Sequence, residues 1–472
     1  MRINPWGAAG WSLARPRSGE KSGQPGKQIL FALVLIFLIV TWGLHILWAQ
    51  EEEPLPPKPA TPEATEVVSG PVNYDRAVQL AILKSPYFTK SSLEIEVKRL
   101  NEKDSQYDLI PPVNFRTQYY ASRPSGSTNR PYSLSFSSTN YNPLESYFTL
   151  QAKKVFTQMS ILAHMHLINE GIQKLGRMFL EMEALKKAAA RQEELVDLAQ
   201  KNQDYFQNRA RIGSGTSLEV RVAAQELEAA KAEKERIANS QKRLLERIKI
   251  FIGMKPHEPL DLDCKDARRQ VMGNFDPAAA SLEQAKNHSY EIKIAELQKE
   301  LQSYNILLAK AKLLPSIFGG ALTPDPLSAV QSRDMFFYVG LEVPVWDGFK
   351  RLRNISRQKT ILRQIEVDTN LKTSDLADKW FDAQENLRAA DAARKSAQAQ
   401  EELARLKERQ SEIRYRSGGE SLVVYLDGRK SLVDAQRNYF MKTLDYDLAV
   451  LGLRHLSGDL GATYVDAKSW QQ

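Results

Sequence analysis

Cysteine is almost absent from this chain of 472 residues, in which Cys264 is the single example. One thiol excludes an intrachain disulfide, and it also excludes metal sites that are built from several cysteines. We therefore expect Cys264 to be an inert thiol.

The motifs of the common enzyme classes are also missing. The sequence contains no G-x-x-x-x-G-K-[ST] phosphate loop, no H-E-x-x-H zinc motif and no G-x-S-x-G nucleophile turn. His164 and His166 lie two positions apart, and residues at that spacing do not share a helix face, so we expect no metal site there. The sequence predicts no enzyme, no catalytic residue and no cofactor.

The sequence also lacks a strongly basic region of the kind that binds nucleic acid. The net charge is +8, but half of this excess lies in residues 1–49, and the later basic residues alternate with acidic ones. Such mixed charges are typical of solvated helix faces, and no basic patch is interleaved with aromatic residues. We therefore expect no nucleic-acid partner.

Proline is absent from two long stretches, although the chain holds 22 prolines. As helices, residues 153–212 and 347–417 would measure about 90 Å and about 105 Å, which no ordinary globular core accommodates. In the first stretch, apolar residues recur at alternating spacings of four and three. This spacing indicates a coiled-coil seam, formed by Ile161, Met165, Ile168, Ile172, Leu175, Phe179 and Met182.

Each proline-free stretch ends in a glycine turn, and the two turns are in register. The turns contain Gly213 and Gly215 in one case and Gly418 and Gly419 in the other. Gly213 lies 205 residues before Gly418, and further residues of the two hairpins pair at the same offset. Two long hairpins in register indicate an internal duplication.

Short segments near the long helices alternate polar with apolar residues, which predicts β-strands. Each repeat carries two of them, at Val113–Tyr119 and Tyr147–Ala152, and at Ser316–Phe318 and Phe336–Val343. The last strand places four apolar residues on one face, Phe337, Val339, Leu341 and Val343. A transmembrane strand needs this alternation, but a half-buried strand of a soluble sheet shows it too. The length of the helices favours the transmembrane interpretation.

These elements divide the chain into six parts and predict a fold that is mainly α with a small antiparallel β part. The parts are a signal peptide or N-terminal hydrophobic segment at 1–49, a Pro/Glu-rich linker at 50–71, a first repeat at 72–254, an irregular segment at 255–277, a second repeat at 278–458 and a C-terminal segment at 459–472. In each repeat a helix precedes the strand pair, at Tyr87–Asp108 or Ser281–Ala311. A return helix follows the tip turn, at Thr216–Ile252 or Glu420–Leu456.

The apolar run Ile29–Ala49 supports two hypotheses. It resembles a secretory signal that is cleaved after Ala49. At about 21 residues it is also just long enough to be an uncleaved membrane anchor. Both hypotheses take the chain out of the cytoplasm.

With these features in place, residues 72–458 resemble the TolC-like outer-membrane efflux protein family. The most specific pieces are the strand-to-helix motif Pro344, Val345, Trp346, Asp347, Gly348 and the second tip, from Tyr415 to Asp427. Phe349 departs from the second glycine of the family motif, and the first repeat has no equivalent of this motif.

The resemblance implies a homotrimer of internally duplicated chains, with very long coiled-coil hairpins that form an α-helical tunnel and four strands per chain in a twelve-stranded barrel. It implies a Gram-negative outer-membrane and periplasmic location, contact with outer-membrane lipid, and an export duct for multidrug or solute efflux or for type I secretion. The implied partners are a periplasmic adaptor, or membrane fusion protein, and an inner-membrane transporter. The alternative hypothesis is an inner-membrane-anchored periplasmic coiled-coil protein without a pore.

The resemblance also implies a gate at the periplasmic tip, near the two glycine turns. The matching positions predict a carboxylate-to-phenol link between Glu219 and Tyr415, while Glu420 stands where relatives have a basic residue. Val424 and Asp427 occupy the two positions of the entrance constriction, where three copies of Asp427 would form an acidic ring with a preference for cations.

Overall fold

The structure is a computed structural model that describes residues 70–119, 132–255, 258–323, 336–458 and 460. Three of the expected parts therefore lie wholly or almost wholly outside the described residues. These are the signal peptide or hydrophobic segment at 1–49, the linker at 50–71 and the C-terminal segment at 459–472.

The described residues divide into a sheet unit and a helical unit. The sheet unit is built from four strands in the order β1-β2-β3-β4, with β1 at Val113–Tyr119, β2 at Tyr132–Tyr141, β3 at Ser316–Thr323 and β4 at Phe336–Glu342. Strands β1 and β2 are antiparallel, and their register pairs Val113 with Ser138 and Tyr119 with Tyr132. Each repeat thus contributes two neighbouring strands to one sheet.

The second strand of the first repeat lies at a different place from the one expected. Residues 147–152 are helical, because the first long helix already begins at Pro143. The Asn142 side chain accepts hydrogen bonds from the backbone N–H groups of Leu144 and Glu145, at 3.1 and 3.3 Å. An asparagine cap followed by a proline is a strong helix start, and it outweighs the alternating pattern of the next residues. The prediction of a strand at Tyr147–Ala152 was wrong.

The helical unit contains nine helices among the residues that the structure describes. They are α1 at Tyr74–Lys84, α2 at Pro86–Tyr107, α3 at Pro143–Arg211, α4 at Ser217–Ile252, α5 at Ala267–Met272, α6 at Leu282–His288, α7 at Tyr290–Ala311, α8 at Lys350–Arg416 and α9 at Leu422–Leu456. Helices α3 and α8 have 69 and 67 residues, or about 100 Å each at 1.5 Å per residue. We call α3 with α4 the first hairpin and α8 with α9 the second hairpin.

The expected helix over Ser281–Ala311 is broken into α6 and α7 at Ser289. This residue has an extended backbone, and its hydroxyl accepts a hydrogen bond from the backbone N–H of Ile292. The break matches the one at Ser85 between α1 and α2. The two repeats therefore share a helix break as well as a helical hairpin.

Helix α3 lies at the centre of the helical unit, where it packs against α2, α4, α7 and α9. Its predicted seam is buried from Met165 to Met182. The largest core cluster joins this seam to Tyr74 of α1, Ile248 of α4 and Leu451 of α9. Side chains from both repeats thus close one core. No helix in the described part of the chain is long and apolar enough to span a membrane.

The inter-repeat segment is tied into this core. The backbone N–H of Val72 donates to the carbonyl of Asp261 at 2.8 Å, and that of Asp263 donates to the carbonyl of Val72 at 3.1 Å. Cys264 is only 2 % exposed, and burial raises the pKa of its thiol to about 11. A protonated thiol is a poor nucleophile and a poor metal ligand. The burial of Cys264 is therefore consistent with a packing role.

Candidate functional site

The two tip turns have the same backbone geometry. Gly213 and Gly418 are both left-handed, with φ angles of 74° and 76°. In the first turn, Gly213 N–H donates to the Ala210 carbonyl at 3.1 Å and Ser214 N–H donates to the Arg209 carbonyl at 2.9 Å. This pair of bonds is the Schellman helix end, which requires a residue with positive φ and therefore favours glycine.

At the first tip, Glu219 stabilises the start of its own helix. Its carboxylate accepts from the backbone N–H of Thr216 at 2.8 Å, and the Thr216 hydroxyl accepts from the backbone N–H of Glu219 at 3.2 Å. The Thr216 bonds and the nearby Arg209 lower the pKa of this carboxyl group. Arg209 lies 3.9 Å from Glu219 and donates to the carbonyl of Ser214 at 2.7 Å. The polar contacts of this tip therefore stay within the first hairpin.

At the second tip, Glu420 binds back to helix α8. It accepts from the Ser411 hydroxyl at 2.6 Å and from the Arg414 guanidinium at 3.2 Å, and these bonds lower the pKa of its carboxyl group. Tyr415 stacks on Tyr425 with ring centroids 5.3 Å apart and an interplanar angle of 8°. These contacts join α8 to α9 within the second hairpin.

The predicted link between Glu219 and Tyr415 is not formed within the single described chain. The carboxylate is held by Thr216, and the phenol ring is stacked on Tyr425. In the single chain these residues stabilise the turns of their own hairpins, and the gate link stays a prediction. Gly215 and Gly419 complete the turns, and only Gly215 is closely surrounded, since a Cβ there would lie 3.0 Å from the backbone nitrogen of Ala210.

Val424 and Asp427 lie in the first two turns of α9 and are both exposed. They are three residues apart, so they share one face of the helix. Leu426 and Val433 of the same helix are buried against Leu195 and Leu198 of α3. The expected constriction residues therefore occupy the free face of α9, and the opposite face packs against the first hairpin.

The structure adds one arginine that the sequence analysis did not single out. Arg429 of α9 donates to Glu194 of α3 at 2.9 Å and to Glu408 of α8 at 3.3 Å. Partial burial raises the pKa of Glu194, but hydrogen bonds from Arg429 and Arg191 outweigh this effect and lower it. The two partners of Arg429 lie 235 and 21 residues away from it in sequence, so no local motif marks these contacts.

The strand-to-helix motif forms a sharp turn at the start of α8. Asp347 accepts from the backbone N–H of Arg351 at 3.0 Å, while Gly348 and Phe349 both have positive φ angles, of 65° and 62°. The rings of Trp346 and Phe349 meet edge to face at 5.0 Å, and Pro344 precedes the turn. Phe349 thus keeps the backbone conformation for which glycine is better suited.

A cavity of about 430 Å³ lies beside the inter-repeat segment. Its lining includes Glu183, Arg268, Phe275, Tyr446 and Asp447. Asp447 is buried, and this burial raises the pKa of its carboxyl group to about 6, although Arg268 Nε lies 3.0 Å from its Oδ1. Among the described residues, no group of three His, Cys, Asp or Glu side chains is placed to hold a metal ion.

Comparison with known proteins gives a family match over the second repeat. Residues 281–459 match the family model described as outer membrane efflux protein. This match and the fold confirm the resemblance inferred from the sequence. No curated protein matches the chain.

Solved structures match over most of the chain. CusC is 14% identical with a TM-score of 0.70, and the match covers 82% of this chain and 92% of that one. The CmeC outer membrane channel of Campylobacter jejuni is 14% identical with a TM-score of 0.67, covering 84% and 88% of the two chains. The MtrE outer membrane channel of Neisseria gonorrhoeae is 15% identical with a TM-score of 0.67, covering 82% and 88%. The chain therefore has the fold of these channels.

Proposed function

We propose, from the efflux-family match of residues 281–459 and the channel fold of the chain, that the protein is an outer-membrane efflux channel that works as a homotrimer. It has no chemistry of its own. In this proposal it is the trans-periplasmic duct for an inner-membrane transporter, reached through a periplasmic adaptor.

The observation that carries the proposal is the exposed apolar row on β4. Phe337, Val339 and Leu341 are 77, 83 and 66 % exposed in the single chain. A contiguous apolar surface of this kind indicates contact with lipid or with another protein. On a short alternating strand it fits the lipid-facing side of a membrane sheet.

The sheet also supports the trimer. Strands β1 and β4 form its two edges, and the described residues supply no further strand to pair with them. An unpaired strand edge is not tolerated in lipid, because its backbone N–H and C=O groups would lack partners. If three copies joined edge to edge, the backbone groups of both edge strands would find hydrogen-bond partners. The resulting sheet would have twelve strands.

The long hairpins supply the periplasmic part of the proposal. Helices of about 100 Å are longer than a globular core needs and fit a duct that crosses the periplasm towards an inner-membrane partner. The cargo of the proposed duct is a solute, in efflux, or a protein, in type I secretion.

Cell fractionation of the full chain tests the location. We expect recovery with the outer membrane, an N-terminus that starts after Ala49, and a trimer in detergent. Recovery with the inner membrane and an intact N-terminus would instead support the alternative, a periplasmic coiled-coil protein anchored by Ile29–Ala49.

A pair of variants tests the lipid-facing row. Arginine on the lipid face of a membrane strand costs about 2–4 kcal/mol near the midplane. Val339→Arg should therefore strongly reduce the amount of trimer in the outer membrane. Tyr338→Arg, on the opposite face of the same strand, is the matched control and should be tolerated. Equal recovery of both variants would contradict a lipid-facing row.

A further inference from the structure

One guanidinium group connects the two hairpins near their tips. Arg429 of the second hairpin reaches Glu194 of the first hairpin through Nη2 and Glu408 of its own hairpin through Nη1. The three charged groups belong to three different helices, α3, α8 and α9. Arg429 thus fixes the position of α9 relative to both of its neighbours.

The partners of Arg429 are poorly solvated. The side chain of Glu408 is only 10 % exposed, and that of Glu194 is 26 % exposed. A partly buried carboxylate that loses its cation keeps the cost of desolvation without the compensating attraction. Separation of α9 from α3 would leave Glu194 with Arg191 as its single cation and would break the charged hydrogen bond to Arg429.

The apolar contact behind this junction is small. Besides the ion pairs, the two hairpins are joined here by a hydrogen bond of 3.0 Å from Arg437 to the Gln192 side chain. They are also joined by a cluster of four buried side chains, Leu195, Leu198, Leu426 and Val433, against which Leu422 and Tyr425 pack. Two further cations of α9 reach the first hairpin at longer distances, Lys430 to Glu226 at 3.7 Å and Arg437 to Glu233 at 3.8 Å. Arg429 makes the shortest of these ion pairs between the hairpins.

The junction lies on the opposite side of α9 from the expected constriction. Successive residues of an α-helix are rotated by about 100°, so the directions of Arg429 and Val424 differ by about 140°. Val424 and Asp427 occupy the free face of the helix. In a trimer, a movement of the second hairpin alone that withdraws these two residues from a neighbouring copy would shift the start of α9 relative to α3.

In the single chain, the tip residues do not connect the two hairpins to each other. Glu219 is bound within the first hairpin, and Glu420 and Tyr415 are bound within the second. Their contacts can persist while the two hairpins move apart.

We propose that Arg429, through Glu194 and Glu408, is the lock that holds the periplasmic entrance closed by fixing the second hairpin to the first. This inference rests on the proposed channel function. It moves the closing contact from the tip turns to the helix face behind the constriction.

Single-channel recording of the purified full-length trimer in planar bilayers tests the lock. Arg429→Gln should raise the ratio of open to closed states by about tenfold, the equivalent of one charged hydrogen bond. Arg405→Gln is the matched control, because Arg405 pairs with Glu401 on its own helix at 2.6 Å and makes no ion pair with another element among the described residues. It should leave the ratio unchanged.

The two carboxylates provide a second set of variants that disturb the fold less. Glu194→Gln and Glu408→Gln should each open the channel partway, and neither should add fully to Arg429→Gln, since all three remove the same junction. Helix content and trimer formation, measured on each variant, show that folding is retained. Independent, additive effects would overturn the assignment.

Two further outcomes separate the hypotheses. If Glu219→Gln and Tyr415→Phe open the channel while Arg429→Gln does not, the tip contacts hold the entrance closed and the proposed lock is wrong. If the unaltered protein forms trimers but conducts under no condition, the proposed channel function itself fails. The lock then fails with it.

Discussion

Gly213 and Gly418 lie 205 residues apart in sequence and adopt the same left-handed backbone conformation at the ends of the two long helices. The second turn repeats the hydrogen bonds of the first, since Gly418 N–H donates to the Tyr415 carbonyl at 3.0 Å and Gly419 N–H donates to the Arg414 carbonyl at 2.8 Å. The same offset relates Gly253 to Gly458, which are also left-handed. The duplication therefore preserves backbone conformation at both ends of each return helix.

Alanine substitutions at these glycines should separate conformational strain from steric overlap. No atom lies within 4 Å of a Cβ at Gly213 or Gly418, so each alanine should cost only about 1 kcal/mol, the price of a left-handed L-residue. Gly253→Ala should cost clearly more, because its Cβ would overlap the carbonyl of Lys84. Thermal unfolding followed by circular dichroism measures the differences.

Gly452→Ala is the control for this series. Gly452 lies inside α9 with open space around a Cβ, so alanine should raise stability by about 0.5–1 kcal/mol through its better helix propensity. A loss of stability at Gly452 similar to that at Gly213 would contradict the conformational explanation.

The left-handed backbone of Phe349 gives a second prediction. Phe349→Gly and Phe349→Ala both remove the edge-to-face contact with Trp346, but only glycine also relieves the positive φ angle. The glycine variant should therefore be more stable than the alanine variant by about 1 kcal/mol. Chemical denaturation of the two proteins measures this difference, and equal stability would show that the backbone at Phe349 is unstrained.

Asp447 gives a prediction for the dependence of stability on pH. Its pKa is raised to about 6 in the folded protein, mainly by burial, against about 3.9 for an unperturbed aspartate. Between these values the folded state binds more protons than the unfolded state, so this group lowers the stability as pH rises from about 4 to about 6. Below pH 4 the penalty is absent, and above pH 6 it is complete.

The Asp447→Asn variant should lack this contribution. Its stability, relative to that of the unaltered protein, should increase as pH rises from about 4 to about 6 and should then become constant. Melting temperatures of the two proteins across this range supply the comparison. Parallel curves would mean that Asp447 titrates alike in the folded and unfolded states.

Much of the helical fold could be predicted from the sequence, because its signals are local. The long proline-free stretches, the glycine turns and the seam around Ile172 follow directly from residue spacing. The strand at Tyr132–Tyr141 was missed even though Ser133, Ser135 and Ser137 alternate there with larger residues. The proline-free stretch predicts a later start of α3 than the observed one, because the helix-start signal, Asn142 followed by Pro143, lies outside that stretch.

The junction at Arg429 could not be predicted in the same way. Charged residues are frequent along these helices, and many pair within one helix at spacings of three or four, as Arg405 does with Glu401. Arg429 differs only because the packing of α9 on α3 brings Glu194 to it across 235 residues. Such a contact depends on tertiary structure, which the local pattern does not contain.

The shared core has a consequence for the order of folding. Synthesis runs from the N-terminus to the C-terminus, and the main core of α1, α3 and α4 includes Leu451 and Leu460, near the end of the chain. Until these residues have been made, the apolar side chains of the first repeat remain partly uncovered. Contacts over such sequence distances form slowly, and exposed apolar surface favours aggregation. The first repeat therefore stays open to aggregation until the residues around Leu451 have been made.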